Sequence, residues 1–229
     1  MIKHVLITAF AALSLSQIGS AASCSVQTLD LYVSGGGCNI GLDTISNFSI
    51  VAGSFGGTPI APTSVLVTPS GSTYAPSLVF SFDVLATTTP PTGPFELTFT
   101  YDISGPPFTG VAGTLSGSLE IPDGAVSGLA NICEGGSFNA DGFSGCSSNP
   151  QGSLVTIDGV QNSDSTTFSQ VSFLNVTNDI TVDPGTMGSA VGATFSNDFT
   201  AVPEPMSMAL AGLGLALAGA IKFRKQTTK

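Results

Sequence analysis

From Val5 to Ile221 the chain contains no lysine, arginine or histidine. Its five basic residues are Lys3, Lys222, Arg224, Lys225 and Lys229, and its single histidine is His4. All fifteen acids fall between Asp30 and Glu204, and setting Glu204 aside leaves fourteen in the central region. A fold made from this stretch cannot use side-chain ion pairs. Each carboxylate must be solvated, take hydrogen bonds from N–H or O–H groups, or meet a metal ion, and burying one without such help is costly. Charged residues make up 9% of the chain, against roughly 25% in typical soluble domains. The surface must therefore be built mainly of Ser, Thr, Asn and Gly.

This inventory excludes whole classes of function. An acidic surface without cations repels phosphate backbones and anionic lipid head groups, so nucleic acid is not a partner. His, Lys and Arg supply most general bases, amine nucleophiles and oxyanion clamps. The expectation is accordingly that the protein is not an enzyme. The one hydrolytic chemistry left is a pair of carboxylates acting on a glycoside, for which Glu96, Glu120 and Glu134 are the central glutamates. Glu96 and Glu120 fall on the polar sides of alternating segments, where surface solvation is the ordinary reading.

The ends read as targeting segments. Residues 1–22 open with Lys3 and His4, continue as an apolar run to Leu15, and close on Gly19, Ser20, Ala21 and Ala22. This is the pattern of a secretory signal peptide, with the mature chain starting at Ser23. Lipidation of Cys24 is the competing reading, although Ala21 stands where a large aliphatic residue is usual. At the other end, Val202, Pro203, Glu204 and Pro205 form a box whose prolines bar ladder hydrogen bonds and keep it extended. Met206 to Ile221 follow as sixteen uncharged, mostly apolar residues, about 24 Å as a helix, enough to cross a membrane with help from snorkelling neighbours. Lys222, Arg224 and Lys225 then form a basic tail expected to remain cytoplasmic.

The ordered box, helix and basic tail over residues 202–229 resemble the PEP-CTERM sorting signal. The resemblance implies an exosortase-type membrane peptidase as partner, transit through the inner membrane, cutting near Val202–Pro205, and delivery to the cell surface or matrix of a Gram-negative bacterium that makes exopolysaccharide. It implies nothing about the ligand of the cargo domain, since such tails occur on ice-binding proteins among many others.

Residues 23–201 carry period-two alternation. Phe95, Leu97, Phe99, Tyr101 and Ile103 oppose Glu96, Thr98, Thr100 and Asp102, and Leu174, Val176, Ile180 and Val182 oppose Asn175, Thr177, Asp179 and Thr181. Phe80, Phe82 and Val84 repeat the pattern, as do Leu115, Leu119 and Ile121. Further strands are expected at Val26 to Val33, Phe48 to Val51, Val65 to Val67, Ser153 to Ile157, Phe168 to Phe173 and Ala193 to Phe199. Turns are expected at Gly35–Gly37, Thr89–Pro91, Gly105–Pro107, Pro122–Gly124 and Asp183–Gly185. No amphipathic helix stands out. The expected fold is all-β: an antiparallel β-sandwich of about nine or ten strands, jelly-roll-like, as one domain.

Four cysteines, Cys24, Cys38, Cys133 and Cys146, read as disulfides in an exported protein. Three connectivities are possible, and Cys24 with Cys38 and Cys133 with Cys146 is preferred because each closes a short loop containing glycine turns. No cofactor is expected. Calcium is the alternative, at the acid–glycine pairs Asp123-Gly124, Glu134-Gly135, Asp141-Gly142 and Asp158-Gly159 and at Asn178-Asp179, although such pairs are also common turn dipeptides. Asn47-Phe48-Ser49 and Asn175-Val176-Thr177 match glycosylation sequons. Thr87-Thr88-Thr89 and the Thr-rich strands are too irregular for a flat ice-facing array. The functional expectation is a noncatalytic surface or matrix component associated with exopolysaccharide or biofilm. The alternatives are a calcium-dependent carbohydrate binder or an ice binder, and lastly a carboxylate glycosidase.

Overall fold

The computed structural model describes residues 22–51, 57–88, 93–117, 119–139, 141–148, 151–192 and 194–203. The signal peptide apart from Ala22, Glu204 and Pro205 of the box, the 206–221 segment and the basic tail lie outside them. In chain order the strands are β1 (Gln27–Thr28), β2 (Cys38–Ile40), β3 (Asp43–Ile50), β4 (Thr58–Pro59), β5 (Val65–Ser72), β6 (Ala75–Phe82) and β7 (Leu85–Thr87). After them come β8 (Phe95–Ser116), β9 (Leu119–Ile121), β10 (Ala125–Glu134), β11 (Gln151–Ile157), β12 (Ser163–Asp183), β13 (Ser189–Val191) and β14 (Thr194–Ala201). One helix, α1 (Leu29–Gly35), follows β1, and a 3-10 turn spans Pro62–Ser64. No helix among the described residues is long and apolar enough to cross a membrane.

The strand pairing is mostly antiparallel. Eleven strands form one sheet along the order β1-β5-β6-β14-β8-β12-β10-β11, with β2, β3 and β4 joining through β8, and β7-β13-β9 form a separate three-stranded sheet. The large sheet doubles over because its two longest strands bend together. Residues 95–104 of β8 pair with residues 173–182 of β12 on one side and, on the other, with β4 at 95–96 and β3 at 99–104, whereas residues 108–116 lie between β14 and the start of β12. The result is two leaves facing each other. Phe80 of β6 meets Phe99 of β8 with ring centroids 4.7 Å apart. Between the leaves, Asn197 Oδ1 of β14 accepts hydrogen bonds from Tyr101 Oη and Asn178 Nδ2, both at 2.8 Å.

Several expectations are corrected. Gly105-Pro106-Pro107 is not a turn between strands but the corner inside β8. The ladder with β12 pairs Ser104 with Phe173 and then Phe108 with Val171, so the prolines, which have no N–H to give, fall where the strand changes leaf. Val26 to Val33 is not one strand. Only Gln27–Thr28 pair, and α1 follows because Leu29 and Tyr32, three apart, point into the core while Leu31 and Val33 are exposed. Gly36, with φ of 80°, ends that helix. Leu115 belongs to the main core, but Leu119 and Ile121 sit in β9 of the small sheet, after the break at Gly117. The strand count exceeds nine or ten because short edge pieces such as β1, β4 and β9 carry too few residues to show a period.

Candidate functional site

The outer face of the first leaf is where polar side chains converge. Along residues 95–104 of β8 the odd-numbered positions enter the core, so Glu96, Thr98, Thr100 and Asp102 point outward beside Asn175, Thr177, Asp179 and Thr181 of β12. Nothing in the alternation indicates that this face is covered, yet Asp102 is only 9% exposed and Thr177 is fully buried. The cover is the segment after β10. It is tied down by the Cys133–Cys146 disulfide, by Phe138 N–H donating to Asn175 Oδ1 at 3.1 Å, and by Thr177 Oγ1 donating to Gly142 O. Inside it, Asp141 caps its own turn, accepting from the N–H groups of Phe143 and Ser144 and from Ser144 Oγ; these bonds hold its carboxyl below the usual range.

Where this segment meets β3 a cleft of about 420 Å³ is left open, lined by Asn47, Ser49, Thr100, Asp102, Phe138, Asn139 and Asn175, among others. At its floor, Asp102 Oδ2 accepts from Asn47 Nδ2 at 2.7 Å, and Oδ1 accepts from Asn175 Nδ2 at 2.6 Å. Asn47 reaches this position through a bulge. The β3–β8 register slips between Ser46 and Ser49, and Asn47 takes φ of 54°, a conformation that Asn tolerates better than most residues. The slip turns Phe48 into the core, where it packs on Tyr32 and Tyr101, and turns Asn47 outward.

The other acids do not line the cleft. Asp179, at the far end of the same face, has a carboxyl pushed up to about 6 by burial and by the charge of Glu96, against a hydrogen bond from Thr98 Oγ1 at 3.1 Å that opposes the shift. Glu96 itself is 4% exposed, which corrects its reading as a solvated residue: the parallel strand β4 runs alongside it. Glu120 belongs to the separate small sheet, so the two glutamates do not share a leaf. Glu134 is buried, which raises its carboxyl. Asp43 is fully buried, and neither carboxyl oxygen has a hydrogen-bond partner; burial pushes it up to about 7.

The calcium candidates are scattered: Asp123, Asp141 and Asp158 sit in bends and turns, Glu134 is the buried end of β10, and Asn178-Asp179 lies within β12. Asp123 binds the Thr186 N–H and Oγ1 and the Met187 N–H, which lowers its carboxyl. Asp158 accepts from Asn162 Nδ2. Among the described residues no three His, Cys, Asp or Glu side chains gather as a metal-holding group. The cysteines pair as Cys24–Cys38 and Cys133–Cys146. Thr87 lies in β7 and Thr89 outside the described residues. Sequence reasoning missed Asp102 and the cover over it. Asn47 and Asn175, read from the sequence only as glycosylation sequons, are the two asparagines that hold Asp102.

Comparison with known proteins gives distant structural likenesses and one sequence motif. The chain is similar to TmCBM61, solved in complex with β-1,4-galactotriose, at 12% identity and a TM-score of 0.32, over 69% of this chain and 87% of that one. It is also similar to a glycosylation-associated protein complex (Gap123) from Streptococcus agalactiae at 11% identity and a TM-score of 0.26, over 76% of this chain but 28% of that one. No curated relative matches. Val202 and Pro203 leave the end of β14, with Val202 N–H bonded to Pro107 O at 2.8 Å, so the sheet ends where the box begins. Residues 201–226 match the PEP-CTERM protein-sorting motif, and the chain carries that sorting signal directly behind its folded domain.

Proposed function

We propose that this is an exported, noncatalytic cell-surface or matrix protein of a Gram-negative envelope that holds extracellular polysaccharide in the Asp102 cleft. An exosortase-type peptidase would process it near Val202, Pro203, Glu204 and Pro205, and the basic residues Lys222, Arg224 and Lys225 would leave with the removed tail. The observation that carries the binding reading is the cleft floor, where two amides from different strands hold one carboxylate in place beside an exposed channel. Fixed planar polar groups beside a ring such as Phe138 suit the hydroxyl edge and apolar face of a sugar. None of the acids whose proton affinity is raised, Asp43, Glu134 and Asp179, lines this cleft. That separation favours holding over proton transfer.

Two measurements test the reading. In a host with an exosortase, intact mass is expected to show a surface protein lacking residues 206–229, and a Pro203→Ala/Glu204→Ala/Pro205→Ala variant is expected to keep them. A wild-type envelope protein of full tail length contradicts the sorting part. On a glycan array the purified full chain is expected to bind polysaccharide and Asn175→Ala to bind it several-fold more weakly, because Asp102 loses one of the two amides that hold it and Phe138 N–H loses its acceptor. A wild-type chain that retains no glycan contradicts the binding part.

A further inference from the structure

The charge inventory of the cleft is one-sided, with Asp102 as its one ionisable lining residue. Each amide gives a hydrogen inward: Asn47 Nδ2 and Asn175 Nδ2 to Asp102, Asn175 Nδ2 also to Tyr101 O at 3.5 Å, and Asn139 Nδ2 to Ser144 Oγ at 3.2 Å, which leaves one N–H each on Asn47 and Asn139. The Asn175 carbonyl is taken by the Phe138 N–H. The lining also carries acceptors in the remaining lone pairs of Asp102 and in the Asn47 carbonyl, with the adaptable hydroxyls of Ser49, Thr100 and Ser137 around them. No side-chain cation exists between Ser23 and Ala201 to answer an anionic ligand, whereas fourteen carboxylates lie in the same stretch. A ligand carboxylate or sulfate would meet Asp102 with no counter-charge, at the cost of an unpaired charge in a half-closed site. A ligand that brings charged donors meets the opposite situation, and the field of the whole domain draws it in.

Resting on the glycan reading above, we propose that the cleft selects sugars with a free, protonated amino group, that is, polymers of 2-amino sugars, over their N-acetylated and uronic acid counterparts. The ammonium group donates to Asp102 and to the Asn47 carbonyl, and the sugar ring packs against Phe138. N-acetylation removes the charge and replaces a three-hydrogen donor by an amide with one.

The test compares three oligosaccharides of equal length by calorimetry with the purified full chain in detergent at mildly acidic pH: β-1,4-glucosamine, its fully N-acetylated form and an oligouronate. The free-amine form is expected to bind about tenfold or more tighter than the acetylated one, as charge-assisted bonds are about twice as strong as neutral ones. The oligouronate is expected not to bind. The advantage should shrink with added salt and vanish in Asp102→Asn, which keeps the shape and removes the charge. Asp83→Asn, an exposed acid on the other leaf, is the control and should keep it. Equal or tighter binding of the acetylated oligomer overturns the amine preference while leaving the glycan reading intact. An equal loss in Asp83→Asn overturns the assignment to this cleft. Binding of none of these, together with a blank glycan array, removes the parent reading as well. The oligosaccharide comparison needs no variant, so a folding defect in Asp102→Asn does not shield the proposal.

Discussion

Asp43 is the least compensated charge in the described fold. It opens β3, its carboxyl is buried against Gly105, and no other residue donates to either oxygen; only its own backbone N–H opposes the effect of burial. In the unfolded chain it ionises near 3.8, and in the folded one near 7. Between those values the folded state binds the extra proton, so stability falls as pH rises through the window. Asp179, at about 6, acts in the same direction. Asp123 and Asp141, lowered by their turn hydrogen bonds, contribute stability that is lost only as pH drops below the ordinary carboxylate range. The domain is therefore expected to be most stable in mild acid. Thermal melts should give a Tm that declines from about pH 4 to about pH 7, with a shallower decline in Asp43→Asn. A rising Tm over that interval, or an unchanged slope in the variant, would refute this. The sequence shows that no cation can pair with Asp43, but burial of that particular acid depends on the corner in β8 and was not legible.

At the scale of elements, the alternation in β8 and β12 was readable because their inward positions are Phe, Leu, Ile, Val and Tyr. Their continuity was not: Phe168 to Phe173 and Leu174 to Val182 read as separate runs, yet both belong to β12, which bends with β8. The cleft was not legible, because outward polar residues look the same whether they face water or a covering segment. The Cys133–Cys146 bond decides between those states. A Cys133→Ser/Cys146→Ser variant is expected to lose about 3 kcal/mol by loop-entropy reasoning and, more tellingly, its glycan binding, as Phe138 and Asn139 leave the wall. Retained affinity would show that the bond does not shape the cleft. Close approach of the leaves gives a second test. A Cβ on Gly128 of β10 would lie 2.6 Å from the Phe195 ring of β14. Gly128→Ala is expected to cost about 1 to 3 kcal/mol in chemical denaturation, and a neutral result would mean that the leaves can spread.

Over the whole molecule, the absence of cations determines how the protein meets proteases. Trypsin cuts after Lys and Arg, and the chain has neither between Lys3 and Lys222. The domain is expected to survive trypsin even when denatured and reduced, whereas a protease with apolar specificity should degrade the denatured form. Internal tryptic fragments on a gel would contradict the sequence itself. The all-β class was legible at this scale because alternation and turn residues agree along most of the chain. The folding of one sheet into two leaves was not, since it depends on two corners meeting.

The position of β14 sets the order in which the molecule can be assembled. Among the described strands it is the one that links β6 to β8 and the last in chain order, and the sorting motif begins at its end. Until Thr194–Ala201 have crossed the membrane, the half-built protein shows two raw strand borders to its surroundings, each able to pair with another nascent copy. Export stalled just short of this segment is expected to favour clumping, whereas eight residues later the facing borders of β6 and β8 are both covered and the sorting motif follows.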